Sequence, residues 1–150
     1  MESSGAYRGR EAVLIRFVLD ASVALCWCFE DQSTRYSEAV FKRLEEGDAG
    51  RAPFIWPIEM AHAMLVAERR RKIKPAQTTA FLRELSEWPI EVDIDGVGRA
   101  LEHILEVGRH YRLTAYDAAY LELAIHDGIP LATLDAELLK AAKSAGVEIA

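Results

Sequence analysis

Four acidic residues, Asp20, Glu59, Asp117 and Asp135, stand at equivalent places in the pattern of the chain. Asp20 directly follows the apolar run Ile15–Leu19, and Asp135 directly follows Leu131–Leu134. Glu59 and Asp117 fall in the first turns of segments with helical spacing that open at Pro57 and Thr114. If the runs are parallel strands, all four acids reach one edge of one sheet. Crowded carboxylates repel unless something positive sits among them, most simply a hard divalent cation. Mg²⁺ and Mn²⁺ take oxygen ligands, usually one or two carboxylates with waters and substrate phosphates. Two such ions about 3.5–4 Å apart can activate water and stabilise the leaving oxygen of a phosphodiester. His62, His103, His110 and His126 offer no competing zinc-type set. Each acid alone also has a plainer reading. Helix N-termini favour acids by about 0.3–1 kcal/mol, Thr114-x-x-Asp117 resembles a capping box, and Asp135 suits an N-cap.

The elements that must position these residues follow from periodicity. Ile15–Leu19 predicts a buried strand and Ser33–Glu46 a helix stopped by Gly47. Ala52–Trp56 predicts a second strand, and Pro57 opens a helix to about Lys72. Pro75 opens another, which Pro89 ends. Ile90–Ile94 alternates as a half-exposed strand, and Val97–Tyr111 and Thr114–His126 predict two helices. A Gly128–Pro130 turn, a strand Leu131–Leu134, a helix Ala136–Ala145 and a closing strand Val147–Ile149 complete the chain. Strands alternating with helices predict βαβ units, hence an α/β fold with a mainly parallel central sheet covered on both faces. Such sheets bind ligands beyond the carboxyl ends of their strands.

Composition bounds the function. The chain has 150 residues, 51% of them apolar, enough for one domain with a real core and too much for wholesale disorder. Residues 1–12 lack periodicity and read as a disordered tail before a domain at 13–150. Lys and Arg number 18 and Asp and Glu 24, so the formal charge is −6, and bulk charge does not hold the protein on nucleic acid or anionic membrane. The run Phe17–Phe29 carries Asp20 at its centre, which argues against a signal peptide. Cys26 and Cys28 are too close for an ordinary disulfide and lack the spacing of redox or zinc pairs, so two buried thiols in a cytoplasmic protein are expected. Phosphate-cradling glycine motifs are absent, against a nucleotide-sensing module. A receiver-type domain would need an acidic pair where Asp20 stands alone.

Four segments carry a family likeness: Phe17-Val-Leu-Asp-Ala-Ser-Val-Ala24, Pro57-Ile-Glu-Met-Ala-His-Ala-Met-Leu65, Leu113-Thr-Ala-Tyr-Asp-Ala-Ala-Tyr-Leu-Glu-Leu-Ala124 and Leu131-Ala-Thr-Leu-Asp-Ala-Glu-Leu138. In this order and at these separations the chain, from Ile15 to Ile149, resembles the PIN domain, in particular the VapC-type ribonuclease toxins of type II toxin–antitoxin systems. The resemblance implies a PIN-like three-layer α/β/α sandwich and a Mg²⁺- or Mn²⁺-dependent endoribonuclease that cleaves structured RNA such as tRNA or rRNA. It implies Asp20, Glu59, Asp117 and Asp135 as catalytic and metal-holding acids, with Ser22 and Thr133 as hydroxyl helpers. Asp20, Asp117 and Glu59 would hold a first ion, and Asp135 a second ion or the attacking water. Hydrolysis of this kind leaves 5′-phosphate and 3′-hydroxyl ends. The resemblance also implies a homodimer and a VapB-type antitoxin that lays a helix in an apolar groove. One position departs: His62 stands where the family usually has Asn, and could hydrogen-bond a phosphate or a ligand carboxylate. A PIN-like domain acting on DNA, or a silent binding or regulatory module, is the alternative.

Neutralising four carboxylates leaves −2 of the −6, so RNA would need a local basic patch. Arg69, Arg70, Arg71, Lys72 and Lys74 are one candidate, with a solvated helix end as the plainer reading. Arg109, His110 and Arg112 are another. Trp27, Phe29, Phe41, Trp56, Met60 and Met64 are more apolar than their helices require. Core packing accounts for most of them, and Trp27, Phe29, Trp56, Met60 and Met64 are candidates for a groove that takes a partner helix. Tyr116 and Tyr120 are candidates for a dimer interface, which the sequence does not decide.

Overall fold

Strand β1, Arg16–Leu19, is the centre of the sheet in the computed structural model, which describes residues 14–150. The tail expected at residues 1–12 lies outside the described residues. Phe17, Val18 and Leu19 have no exposed surface, as a strand covered on both faces requires. Parallel partners flank it: β2, Ala49–Pro53, on one side and β4, Leu131–Ala132, on the other. β3, Ile90–Asp93, extends the sheet beyond β2, giving the order β3-β2-β1-β4, with every pairing parallel.

Seven α-helices flank this sheet among the described residues, making the expected three-layer α/β/α sandwich: α1 Ala21–Cys28, α2 Arg35–Glu45, α3 Trp56–Arg69, α4 Pro75–Glu87, α5 Leu105–Tyr111, α6 Ala115–Asp127 and α7 Ala136–Ser144. Their starts are written locally. Thr34 and Ser37 cap α2 reciprocally, each side chain accepting the other's backbone N–H. Pro57 and Pro75 lie in the first turns of α3 and α4, and Thr114 and Asp135 cap α6 and α7. Helix α6 ends at Gly128, whose φ of 65° is the left-handed turn that glycine adopts without strain.

Several expected boundaries move. The second strand lies at Ala49–Pro53 rather than Ala52–Trp56: Trp56 opens α3 and is buried. Its register on β1 pairs Arg16 with Ala49, so backbone pairing selects a segment with little apolar character. Residues expected in one helix from Val97 to Tyr111 instead form a 3₁₀ turn (Ile94–Arg99), a π turn (Ala100–Ile104) and then α5. The expected Leu131–Leu134 strand pairs only over Leu131–Ala132, and Val147–Ile149 contributes a single parallel bridge between Ile149 and Leu131. Helix α1 falls in the stretch weighed only as a secretory core. Cys26 is buried and Cys28 only half-buried, and both thiols are free.

Away from the β1–β4 edge, two arginines organise four acids. Arg99 donates to both carboxylate oxygens of Glu122, at 2.7 and 3.2 Å, and to Asp93 at 2.7 Å. Arg51 reaches Asp127 at 3.0 Å, Glu91 at 3.2 Å and Asp93 at 3.6 Å. These bonds clamp α6 to β2 and β3, and α6 is the helix that carries Asp117.

Candidate active site

The chain runs outward from β1 to β2 and β3, then crosses back to place β4 on the other side of β1. This reversal is a topological switch point, where a doubly wound sheet leaves a crevice beyond its strand ends. Leu19 lies beside Ala132 in register, so Asp20 and Thr133, the next residues, meet at the crevice. Asp20 is buried, with 6% of its surface exposed. Its Oδ2 accepts hydrogen bonds from Ser22 Oγ and Thr133 Oγ1, both at 2.7 Å. The two hydroxyls are themselves held: Ser22 Oγ accepts the Leu134 N–H at 3.1 Å, and Thr133 Oγ1 accepts the Asp135 N–H at 3.0 Å. The supporting residues expected from sequence therefore lock one carboxylate oxygen in place.

Glu59 lies in the first turn of α3, half-buried, and its Oε1 accepts a 2.8 Å hydrogen bond from the Tyr120 hydroxyl. Asp117 lies in the first turn of α6. Its backbone N–H, not its carboxylate, is used by the Thr114 cap at 3.2 Å. Asp135 divides its duties: Oδ1 caps α7 by accepting the Leu138 N–H at 2.8 Å. The capping reading thus holds for one oxygen of Asp135 and fails for the side chains of Asp20 and Asp117.

Electrostatics bind the four into one unit. Burial pushes the Asp20 carboxyl above the usual range, hydrogen bonds from Thr133 and Ser22 pull it back in part, and Asp135 pushes it up again. Burial likewise raises Glu59, with Asp20 and Asp117 adding to the rise and Tyr120 opposing it. Asp117 is raised by burial and then by Asp135 and Asp20, with the nearby Thr114 hydroxyl opposing the rise. Among the described residues, no arginine or lysine forms an ion pair with any of the four.

The donor set is all oxygen and mutually repulsive, which suits a hard divalent cation. Among the described residues no group of three or more His, Cys, Asp or Glu side chains is already arranged to hold a metal ion. Mg²⁺ keeps several waters and is usually held by one or two carboxylates, so an open arrangement fits it. Beside the acids a cleft of about 600 Å³ is lined by Ile58, Glu59, His62, Thr114, Tyr116 and Asp117. His62, at the position of departure, is exposed and faces this cleft.

Other expectations separate. Arg69, Arg70, Arg71, Lys72 and Lys74 are exposed, but at the far end of α3 from Glu59, about 15 Å along the axis at 1.5 Å per residue. Arg112, exposed, caps α5 with a left-handed φ of 55°. It lines a smaller cleft with His110, Glu137 and Lys140, and sequence reasoning had not joined Lys140 to it. The groove residues are corrected. Trp56, Met60 and Met64 are 7%, 2% and 3% exposed and belong to the core. Trp27 stacks within an aromatic cluster with Phe41 and Trp88 and donates its indole N–H to the Ser37 carbonyl. Phe29 alone of the five lines an open groove, with Leu25, Ala63, Val66, Arg70 and Lys72. Tyr116 is 65% exposed, whereas Tyr120, weighed for an interface, is 1% exposed and bonds to the site. Its signal was its place one turn after Asp117 on the same helix face.

The PIN domain model matches residues 17–144. Comparison with curated proteins gives no match. Among solved structures, the chain is similar to PAE2754 from Pyrobaculum aerophilum, with a TM-score of 0.67 and 22% identity over 87% of each chain. It is similar to VapBC2 from Rickettsia felis bound to a DNA fragment from their promoter, with a TM-score of 0.62 and 12% identity over 91% of this chain and 98% of that one. A toxin–antitoxin complex from Klebsiella pneumoniae gives a TM-score of 0.54 and 18% identity over 79% and 86%. At these identities the likeness is one of fold.

Proposed function

Since the chain belongs to the PIN domain family, we propose that it is a Mg²⁺- or Mn²⁺-dependent endoribonuclease, the VapC-type toxin of a toxin–antitoxin pair acting in the cytoplasm. One observation carries this reading: carboxylates from four elements stand at the switch-point end of the sheet, three of them raised by burial and by one another's charge, and among the described residues no arginine or lysine pairs with them. A set of acids that is partly withdrawn from water and left without a cation is costly to a fold, so its presence points to function.

Asp20, Glu59 and Asp117 would hold the ion, and Asp135 would orient the attacking water. When bound, Mg²⁺ or Mn²⁺ supplies Lewis acidity at the scissile phosphate. Ser22 and Thr133 keep Asp20 Oδ2 oriented, which leaves Oδ1 free of side-chain hydrogen bonds. Water adds to phosphorus and the bond to the 3′-oxygen breaks, so the fragments carry 5′-phosphate and 3′-hydroxyl ends. His62 is positioned to bond a phosphate of the strand in the cleft. Arg112 and Lys140 line one cleft and are the cations assigned to the RNA strand. Lys140 is five residues along α7 from Asp135, roughly 7.5 Å.

The antitoxin reading is supported by the groove between α1 and α3. Its apolar floor of Leu25, Phe29, Ala63 and Val66 suits a helix face, and its wall at His62 is shared with the acidic cleft. A helix seated there can close the site. For the homodimer, Ile94, Val97, Leu101 and Leu105, exposed by 75%, 61%, 90% and 45%, supply an apolar stripe on the segment before α6.

Cleavage of total RNA by the purified protein with Mn²⁺ or Mg²⁺, beside EDTA and an Asp117→Asn control, tests the reading. Discrete fragments that vanish in both controls are expected. Intact RNA together with cut single-stranded DNA would move the substrate assignment. Fragments ending in 2′,3′-cyclic phosphate would overturn the mechanism.

A further inference from the structure

The side chain that joins the acid-bearing elements is not an acid. Tyr120 lies on α6 one turn after Asp117, 1% exposed and the largest of the fully buried side chains. Its hydroxyl donates to Glu59 Oε1 at 2.8 Å and accepts the backbone N–H of Ala21 at 3.3 Å. Ala21 is the first residue of α1 and follows Asp20 directly. One oxygen atom therefore touches the element behind Asp20, the helix of Glu59 and, through its own backbone, the helix of Asp117.

The bond to Ala21 has a second consequence. The first N–H groups of a helix have no partner within it, and an aspartate at the N-cap ordinarily supplies one. Asp20 occupies that position for α1 yet makes no capping hydrogen bond. Tyr120 satisfies the first of those N–H groups, that of Ala21, while the Asp20 carboxylate is directed at Ser22 and Thr133. Asp135, by contrast, commits one oxygen to its own helix.

We propose that Tyr120 is the positioning residue of the site: its hydroxyl sets the spacing of Asp20, Glu59 and Asp117 and thereby their affinity for the divalent cation. This rests on the metal-dependent reading above. Tyr120 is buried and cannot touch RNA, so it acts on the ion and on turnover rather than on substrate binding. Partners that orient metal ligands typically contribute 10- to 100-fold in affinity or activity.

The test is Tyr120→Phe, which keeps the ring in the core and deletes only the oxygen. Mn²⁺ binding is measured by calorimetry on the metal-free full chain, beside steady-state cleavage, with folding followed by circular dichroism. A cooperatively folded variant that binds Mn²⁺ about 10-fold or more weakly, with lower kcat and unchanged KM for RNA, is expected. The same substitution in a Glu59→Gln background should cost much less affinity, because the partner through which Tyr120 acts has already changed. Wild-type affinity in a folded Tyr120→Phe protein overturns the positioning role and leaves the nuclease reading intact. An equal loss in both backgrounds overturns action through Glu59. Absence of Mn²⁺ binding by the wild type overturns both readings together.

Discussion

Two groups of four carboxylates sit on this fold, and they have opposite fates. Glu91, Asp93, Glu122 and Asp127 are threaded by Arg51 and Arg99, with bonds from 2.7 to 3.6 Å. Asp127 is held below its ordinary pKa by His126 and Arg51 despite its burial. Asp20, Glu59 and Asp135 have hydroxyls or backbone N–H groups as partners, and Asp20, Glu59 and Asp117 are raised. Each group has members shielded from water, Asp20 in one and Asp93 and Glu122 in the other. The difference is the guanidinium, which turns one group into a clamp and leaves the other in need of a charge from outside. Acidic residues alone therefore do not mark a site on this fold; acids that the protein declines to neutralise do.

The largest effects separate the groups most sharply. Asp117→Asn should lower RNA cleavage by roughly 10³-fold, since loss of several kcal/mol of charge stabilisation costs a decade in rate per 1.36 kcal/mol. Substitution of Asp127 should leave the rate within a few-fold, and an equal fall in both variants breaks the comparison. Arg99→Ala strands Glu122 and leaves Asp93 with only the 3.6 Å contact to Arg51, the two side chains being 6% and 7% exposed. A loss of about 3–5 kcal/mol in urea denaturation is expected, as for other broken buried pairs. A loss of less than ~1 kcal/mol would show that water can replace the arginine.

Smaller effects test the sign. In the acidic cleft the folded-state pKa values lie above the unfolded ones, so the stability these groups contribute is greatest below about pH 4 and is lost as pH rises through the folded values. Asp127 behaves oppositely: its contribution is present above that range and lost as pH falls through its lowered value. Metal-free Asp117→Asn should accordingly melt about 2–4 °C above the wild type at pH 7. The gap should close as the pH falls towards about 4 and reverse on adding Mn²⁺, readings available from differential scanning calorimetry. A wild type that is the more stable form at pH 7 without metal would mean that the cleft carries no repulsion. The smallest expected effect concerns the strand-holding cations. Arg112→Ala with Lys140→Ala should raise KM for RNA several-fold and flatten its salt dependence by about one unit per lost phosphate contact. Arg70→Ala with Arg71→Ala should do less.

Much of this was legible in local pattern. Thr114, Asp135, Pro57 and Pro75 announce helix starts because capping and proline geometry act within one turn, and Phe17–Leu19 announces a central strand because burial on both faces demands a continuous apolar run. The four acids stand out because each follows or opens a recognisable element, whereas Ser22 and Thr133 are named only through the family resemblance. Less legible were elements defined by pairing across the sheet. Ala49–Gly50–Arg51 is a strand because β1 and β3 offer it backbone partners, and the break at Ala100–Ile104 interrupts what periodicity presents as one helix.

By itself the sequence determined the order of strands and helices, the residues that reach the strand ends and the acidity of that edge, since each depends on neighbours a few positions away. The tertiary structure decided which aromatic residues face a groove and which fill the core. It decided that Tyr120 bonds Glu59, 61 residues away, and Ala21, 99 residues away. It also decided which acids meet an arginine. These are long-range coincidences of packing, and a carboxylate's charge and role depend on whatever the fold brings within about 4 Å of it.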